Sequence, residues 1–429
     1  MDHNTTNRAD RRLRVIEILV GLVIIALLIA LLGGEGIVHR EDLQDDLQRM
    51  ADEAAVHAVD GMTYVGGDTY QFTVEGGSSS DLLAASQGLL STVSIYAGFT
   101  VRDGRQTGEV YYSGAGVIYK LDKDHGDAYI ITNYHVIYNG ESLTDDGVSD
   151  DISLFLYGKE QRTDYAIPAT FVGGSPYYDI AVLKVSGSQT LRESAARAVS
   201  FADSDDVSIL DTAIAIGNPA SAGLSATVGH INVDSETITM PVVTDESQAV
   251  TMRVMRTDTA VNSGNSGGGL FNASGELIGI VNAKIADSEI ENIGYAIPSN
   301  VVKNLTNNIL YYCDGTEATR AYRCMLGISV GVGASDAVCD AQTGKLHITE
   351  DVTVVQVGDG ALASGFLQVN DVIREIRING EAKTVTRTFH VVDIMLNARV
   401  GDEVTFVIER GGTEMTVRLT ISESSLTAY

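Results

Sequence analysis

Residues 262–269 read Asn-Ser-Gly-Asn-Ser-Gly-Gly-Gly, and few stretches restrict a fold as narrowly. Ser266 stands among glycines that let backbone N–H groups turn toward one point while its own oxygen stays accessible. Acyl transfer needs that combination of a nucleophile and fixed donors for an oxyanion. By itself the stretch is equally good turn chemistry. Two upstream segments change its meaning. Tyr129, Ile130 and Ile131 form a strand-like run that stops at Thr132 and Asn133, and His135 follows at once. Asp179 stands directly before a second apolar run carrying Ile180, Val182, Leu183 and Val185.

The chain order is therefore His135, Asp179, Ser266. Chymotrypsin-like sites use that order, whereas subtilisin-like and α/β-hydrolase sites use others. The expected fold class is mainly β: a chymotrypsin-like double β-barrel, preceded by a transmembrane helix and followed by a smaller C-terminal domain. Further stretches fall in a matching order: Gly114-Ala115-Gly116, Ala215-Ile216-Gly217-Asn218-Pro219, Thr257-Asp258-Thr259-Ala260-Val261-Asn262 and Gly294-Tyr295-Ala296-Ile297-Pro298-Ser299-Asn300. With the three segments above they cover residues 86–300, which resemble the HtrA/DegP family of serine proteases.

The resemblance implies roles. Ser266 is expected as the nucleophile, His135 as the general base and then acid, and Asp179 as the group that orients the imidazole. The oxyanion hole is expected from the backbone N–H groups of Gly264 and Ser266, with Asn265 either adding a third donor or shaping the turn. The family is ATP-independent, uses neither a metal nor another cofactor, acts on unfolded or C-terminal peptide segments, and has a homotrimer as its smallest assembly. Three positions depart from its usual pattern: Gly269 and Ser263 stand where proline is common, and Tyr134 where asparagine is common. The first two loosen the loop around Ser266. The primary specificity pocket is expected between Ala260, Val261 and Asn262 on one side and residues 282–284 on the other. No acidic residue lies at an obvious floor, so small to medium aliphatic side chains are the expected preference.

Residues 13–32 are almost continuously apolar, and a membrane span needs about 20 such residues. Arg8, Arg11, Arg12 and Arg14 lie on or before this stretch, while Glu35, Glu41, Asp42, Asp45 and Asp46 follow it. Positive-inside logic makes residues 1–12 a cytoplasmic tail, 13–32 the anchor, and everything beyond extracytoplasmic. A cleaved signal peptide is the alternative. Residues 33–85 read as stalk and linker, with weak helical spacing over 40–59 and a Gly/Ser/Thr-rich tether after it. A formal charge of −28 argues against nucleic acid as a partner, which would repel it.

Residues 301–322 are expected to be a helix that packs back on the barrels and then a linker. Residues 323–422 resemble a PDZ domain of the type found after HtrA proteases. There the backbone N–H groups of Met325, Leu326 and Gly327 would hold a peptide carboxylate, the following strand would pair with an extended peptide, and Val391 and Met395 would line the pocket. The three cysteines, Cys313, Cys324 and Cys339, allow one disulfide or none, and their spacing with histidines fits no metal site.

The combined expectation is a membrane-anchored endopeptidase that degrades misfolded or damaged extracytoplasmic proteins, with peptide binding by the C-terminal domain for tethering or regulation. Two alternatives remain open: a catalytically quiet chaperone or scaffold, and a signalling protease with one main substrate.

Overall fold

The computed structural model describes residues 62–65, 69–72, 80 and 103 by their backbone, and residues 81–102, 106–160, 162–283, 293–315 and 318–429 in full. The expected tail, anchor and stalk helix lie outside these residues. Among the described residues no helix is long and apolar enough to cross a membrane. The chain divides into two compact units, Met1–Ser78 and Ser79–Tyr429. Of the first, β1 (Met62–Val65) and β2 (Thr69–Phe72) form an antiparallel hairpin.

The second unit opens with α1 (Ser80–Leu90) and then builds two β-barrels. The first barrel contains β3 (Thr92–Asp103), β4 (Gln106–Asp122), β5 (Asp127–Thr132), β6 (Asp151–Leu156), β7 (Ile167–Ser175) and β8 (Ile180–Val185). They pair in the order β7-β6-β3-β4-β5-β8, and β7–β8 pairing closes the ring. A short helix, α2 (Gln189–Arg192), leads out of it. The second barrel contains β9 (Thr212–Gly217), β10 (Ser225–Val242), β11 (Asp245–Thr257), β12 (Gly269–Phe271), β13 (Leu277–Val281) and β14 (Gly294–Pro298), closed as β10-β11-β14-β13-β12-β9.

Strands buried on both faces read as continuous apolar runs, as in β13 (Leu-Ile-Gly-Ile-Val, every residue buried). A first cluster around Ile95, Ile130, Ile152 and Leu183 fills the first barrel. A second, around Ala213, Ile231, Met255 and Ile278, fills the other. Between the barrels, Ile180 and Val182 pack with Ile216, Phe271 and Ile280. The helix α3 (Ser299–Tyr312) packs back on the barrels as expected and seals this seam with Val301, Val302, Leu305 and Ile309; Leu310 packs against it half-buried. The expected linker is partly a strand: β15 (Thr319–Arg320) adds to β7 in parallel.

The remaining residues form a smaller domain with its own core around Val354, Ile373, Ile376 and Phe406. Its sheet contains β17 (Ile328–Cys339), β18 (Leu346–Val357), β19 (Val372–Ile378), β20 (Glu381–Thr384), β21 (Glu403–Arg410) and β22 (Thr413–Thr420). The order is β17-β18-β19-β21-β22, with β20 on β19, so β17 is an edge strand, and α4 (Thr388–Met395) lies against it. Residues 331–351 form the outer half of a long β17–β18 hairpin. Pairing carries this domain past the expected edges at 323 and 422: β16 (Tyr322–Cys324) pairs with β23 (Leu426–Ala428).

Polar groups join the small domain to the barrels. Arg253 on β11 has a side chain only 5% exposed, and its guanidinium bonds Asp205 at 2.8 Å and Asp393 of α4 at 2.8 Å. Phe389 of α4 stacks on its face, 3.7 Å from ring centroid to guanidinium carbon. Burial pushes the Asp393 carboxyl up to about 6 against the pull of Arg253. Lys345, in the turn of the long hairpin, bonds Asp211 at 2.6 Å. Asn308 of α3 donates to Leu396 O and Tyr322 O and accepts from the Tyr322 N–H.

All three cysteines are free thiols. Cys324 is buried, and burial pushes its thiol up to about 11; Cys339 is exposed on the long hairpin.

Candidate active site

His135 lies on a single 3₁₀ turn, Tyr134–Val136, directly after β5. Tyr134 explains its own presence there. It is buried, its ring packs on Tyr138 and edge-on against Phe171, and burial pushes its phenol up to about 12. An aromatic side chain here adds to the core of the first barrel.

Asp179 stands just before β8, is fully buried, and has φ 52°, a left-handed backbone that its surroundings must impose. Its carboxylate receives three donors. The His135 backbone N–H reaches Oδ1 at 2.9 Å, and the Asn282 amide reaches Oδ2 at 2.7 Å. His135 Nδ1 lies 2.6 Å from the same Oδ2. An ionised carboxylate only accepts, so Nδ1 carries the proton and the neutral ring keeps Nε2 as a base. Asn133 donates to the Asp179 carbonyl at 2.8 Å, tying both loops together.

Asn282 is the residue that sequence reasoning misplaced. It was expected to wall the primary pocket, yet its side chain is fully buried against Asp179. The signal was its place directly after β13, where the strand end meets the Asp179 loop. Lys284, the expected far end of that wall, lies outside the described residues. Of the other expected wall, Ala260 and Asn262 are exposed and Val261 is half-buried against Gly294.

Ser266 and His135 line one cleft of about 670 Å³ with Tyr111, Tyr112, Tyr138, Glu246, Ser263 and Gly264. Ser266 Oγ accepts from the Ala283 backbone N–H at 3.2 Å, and no hydrogen bond joins it to His135 among the described residues. The Ser266 carbonyl is held by the Ala115 N–H at 2.9 Å, which locks the loop to β4.

The loop before Ser266 requires glycine at Gly264 (φ 96°), where a Cβ would lie 2.1 Å from the Asn218 carbonyl oxygen. Gly269 has a different reason. The Phe271 ring occupies the space of its Cβ, at 2.4 Å, so the larger residue usual at that position is excluded by packing. The backbone N–H groups of Gly264 and Ser266 have no acceptor among the described residues. Asn265 is different: its N–H donates to Asn262 O and its amide to Ala260 O. Of the two expectations for Asn265 the turn-shaping one holds: its backbone N–H and one N–H of its amide bond carbonyls of the same loop, so its backbone is not a third oxyanion donor.

In the small domain, Met325, Leu326 and Gly327 also form a loop before a strand, with Gly327 at φ 71°. The N–H groups of Leu326 and Gly327 have no acceptor among the described residues, but the Met325 N–H donates to Ser425 O at 2.8 Å. The expected three-donor cradle is therefore corrected to two, the third being taken by the residue just before β23. Val391 and Met395 are buried in the core with Leu326 rather than displayed beside the edge strand.

Comparison with known proteins places this geometry. Residues 114–280 match the trypsin-like peptidase domain family. The chain is 34% identical over 323 residues to the serine protease Do-like HtrA of Lactococcus lactis subsp. cremoris (strain MG1363), covering 73% of this chain and 71% of that protein. It is 32% identical over 324 residues to the serine protease Do-like HtrA of Bacillus subtilis (strain 168), covering 72% and 64%. Periplasmic serine endoprotease DegP of Escherichia coli (strain K12) is 31% identical, with 73% and 57% covered. Among solved structures, HtrA-type protease AlgW with tripeptide superposes with a TM-score of 0.50 at 24% identity, covering 81% of this chain and 97% of that one, a likeness of fold. The chain belongs to the Do-like HtrA family of serine proteases and is a serine endopeptidase.

Proposed function

We propose that Ser266, His135 and Asp179 are the catalytic residues of a membrane-anchored endopeptidase acting on misfolded or damaged extracytoplasmic proteins. The observation that carries this reading is the single cleft holding Ser266 and His135, with the Asp179 carboxylate behind the imidazole. His135 Nε2 takes the Ser266 proton as Oγ attacks the peptide carbonyl, and returns it to the leaving amine. Asp179 stabilises the imidazolium that forms. The free N–H groups of Gly264 and Ser266 receive the oxyanion, each worth about 10²–10³ in rate. Before attack, Oγ must turn from Ala283 toward His135, which makes this contact part of the resting state.

The apolar stretch at residues 13–32 supports a retained single-pass anchor with both domains outside. The edge strand β17 and the loop at 325–327 support a PDZ domain at residues 323–422 that captures extended peptides. The proposed assembly is a homotrimer or a larger homo-oligomer. The scaffold reading draws on one observation, the hydrogen bond that holds Ser266 Oγ on Ala283.

Labelling of the full chain with a serine-directed fluorophosphonate, beside Ser266→Ala, tests the site. Labelling that disappears in Ser266→Ala is expected. Absence of labelling in the folded unaltered chain, with and without an unfolded protein present, would sink the catalytic assignment and favour the scaffold.

A further inference from the structure

Tyr429 belongs by sequence to the small domain, but its ring packs into the cluster that seals the two barrels, beside Tyr177 and Tyr178. Ring centroids are 4.5 Å apart to Tyr177 and 6.3 Å to Tyr178. The Tyr429 N–H donates to Ala321 O at 2.7 Å, and the Ala321 N–H donates to Gly174 O at 3.1 Å, on the strand that leads into the Asp179 loop. Arg323 donates to the Tyr429 hydroxyl at 3.3 Å, and its guanidinium lies 5.2 Å from the ring centroid. The ring is thus fixed at its backbone, its edge and one face, and its contacts fall on the two residues immediately before Asp179.

Those two residues adjoin the site in different ways. Tyr178 is buried and adjoins Asp179, the one non-glycine residue of the site held at positive φ. Tyr177 donates from its hydroxyl to Gln248 at 3.1 Å, on the hairpin that supplies Val243, Thr244 and Glu246 to the active-site cleft. A left-handed aspartate persists only when its neighbours leave it no other conformation. Hydrogen bonds hold that side of the loop, from Tyr178 N–H to Ser175 Oγ at 3.4 Å and from Val243 N–H to Pro176 O at 3.3 Å, and packing of Tyr429 on the two preceding rings adds a further constraint from the small domain.

We propose that Tyr429 is a positioning residue for the Asp179–His135 pair: its ring braces the 176–179 loop and holds the carboxylate in line with His135 Nδ1. The proposal rests on the catalytic reading of Ser266, His135 and Asp179. It locates a contribution to chemistry in the small domain that needs no peptide bound there.

The test uses the full chain and fluorophosphonate, separating the maximal labelling rate from the apparent affinity. Tyr429→Ala is expected to lower the maximal rate about tenfold with affinity within about twofold, since a misplaced orienting group costs rate rather than binding. Tyr429→Phe keeps the ring and is expected to stay within about twofold of the unaltered chain. The downfield proton signal of His135 Nδ1 should weaken in Tyr429→Ala and persist in Tyr429→Phe. If Tyr429→Ala does not fold, Tyr177→Leu removes the opposite ring from within the barrels and carries the same expectation. An unchanged rate in the alanine variant, a loss in affinity alone, or a slowed rate with the Nδ1 signal intact would each overturn the brace. Absence of labelling in the unaltered chain would instead remove the catalytic reading and the brace with it.

Discussion

Two loops of this protein use the same local device to different ends. The loop at 262–266 and the loop at 325–327 each carry a glycine at positive φ and backbone N–H groups gathered in a short span. In the first, Gly264 and Ser266 keep their donors free because Asn265 and the neighbouring carbonyls are tied inward. In the second, Met325 gives its donor to Ser425 in the chain's own last turn before β23. A nest of donors is thus cheap to encode locally. Whether it is open depends on what the rest of the chain lays across it.

Separating the two loops physically is the largest perturbation. Arg253→Ala leaves Asp205 and Asp393 without their shared cation in a mostly buried site, and should weaken docking of the small domain by about 3–5 kcal/mol. Limited proteolysis and a split thermal transition would reveal it; a single transition at the original temperature would show that the barrels hold the domain by other means. Asn282→Ala acts on the catalytic side alone. It removes one charge-assisted donor from Asp179, worth about 1.5–3 kcal/mol, so kcat/KM should fall about ten- to hundredfold with folding retained. Activity within twofold would mean that the two His135 donors suffice.

Gly327→Ala probes the other loop. Its Cβ would lie 2.3 Å from Ala361 Cβ at a left-handed backbone, a strain of about 1–3 kcal/mol. Capture of free C-terminal peptides should be lost, while hydrolysis of a short peptide changes less than twofold. Peptide capture that survives would place the carboxylate elsewhere. The smallest effect is chemical: an alkylating agent at pH 8 should modify exposed Cys339 in the native protein and reach buried Cys324 only after unfolding. Equal rates at both would show that the small domain opens readily.

Much of the catalytic half could be read from sequence because its elements end where the chemistry begins. Strand β5 stops before His135, β8 starts after Asp179, and the glycines around Ser266 admit few other conformations. The same reading mistook Asn282 for pocket lining. Strand periodicity says which residues are buried but not which buried polar group an asparagine will meet across the barrel seam. It also read Asn265 two ways, since an amide in a turn can point outward or back, and only the Ala260 carbonyl decides which.

By itself, the order of residues along the chain determined the two barrels, the helix that seals them and the meeting of His135 with Asp179, because apolar runs and the residues that interrupt them act over short distances. Tertiary structure alone decided which donors remain open, that Ser266 Oγ rests on Ala283, and that Tyr429 reaches the loop before Asp179. Those outcomes join residues up to 252 positions apart (429 − 177). No local preference encodes such a contact; it follows from how two finished surfaces fit.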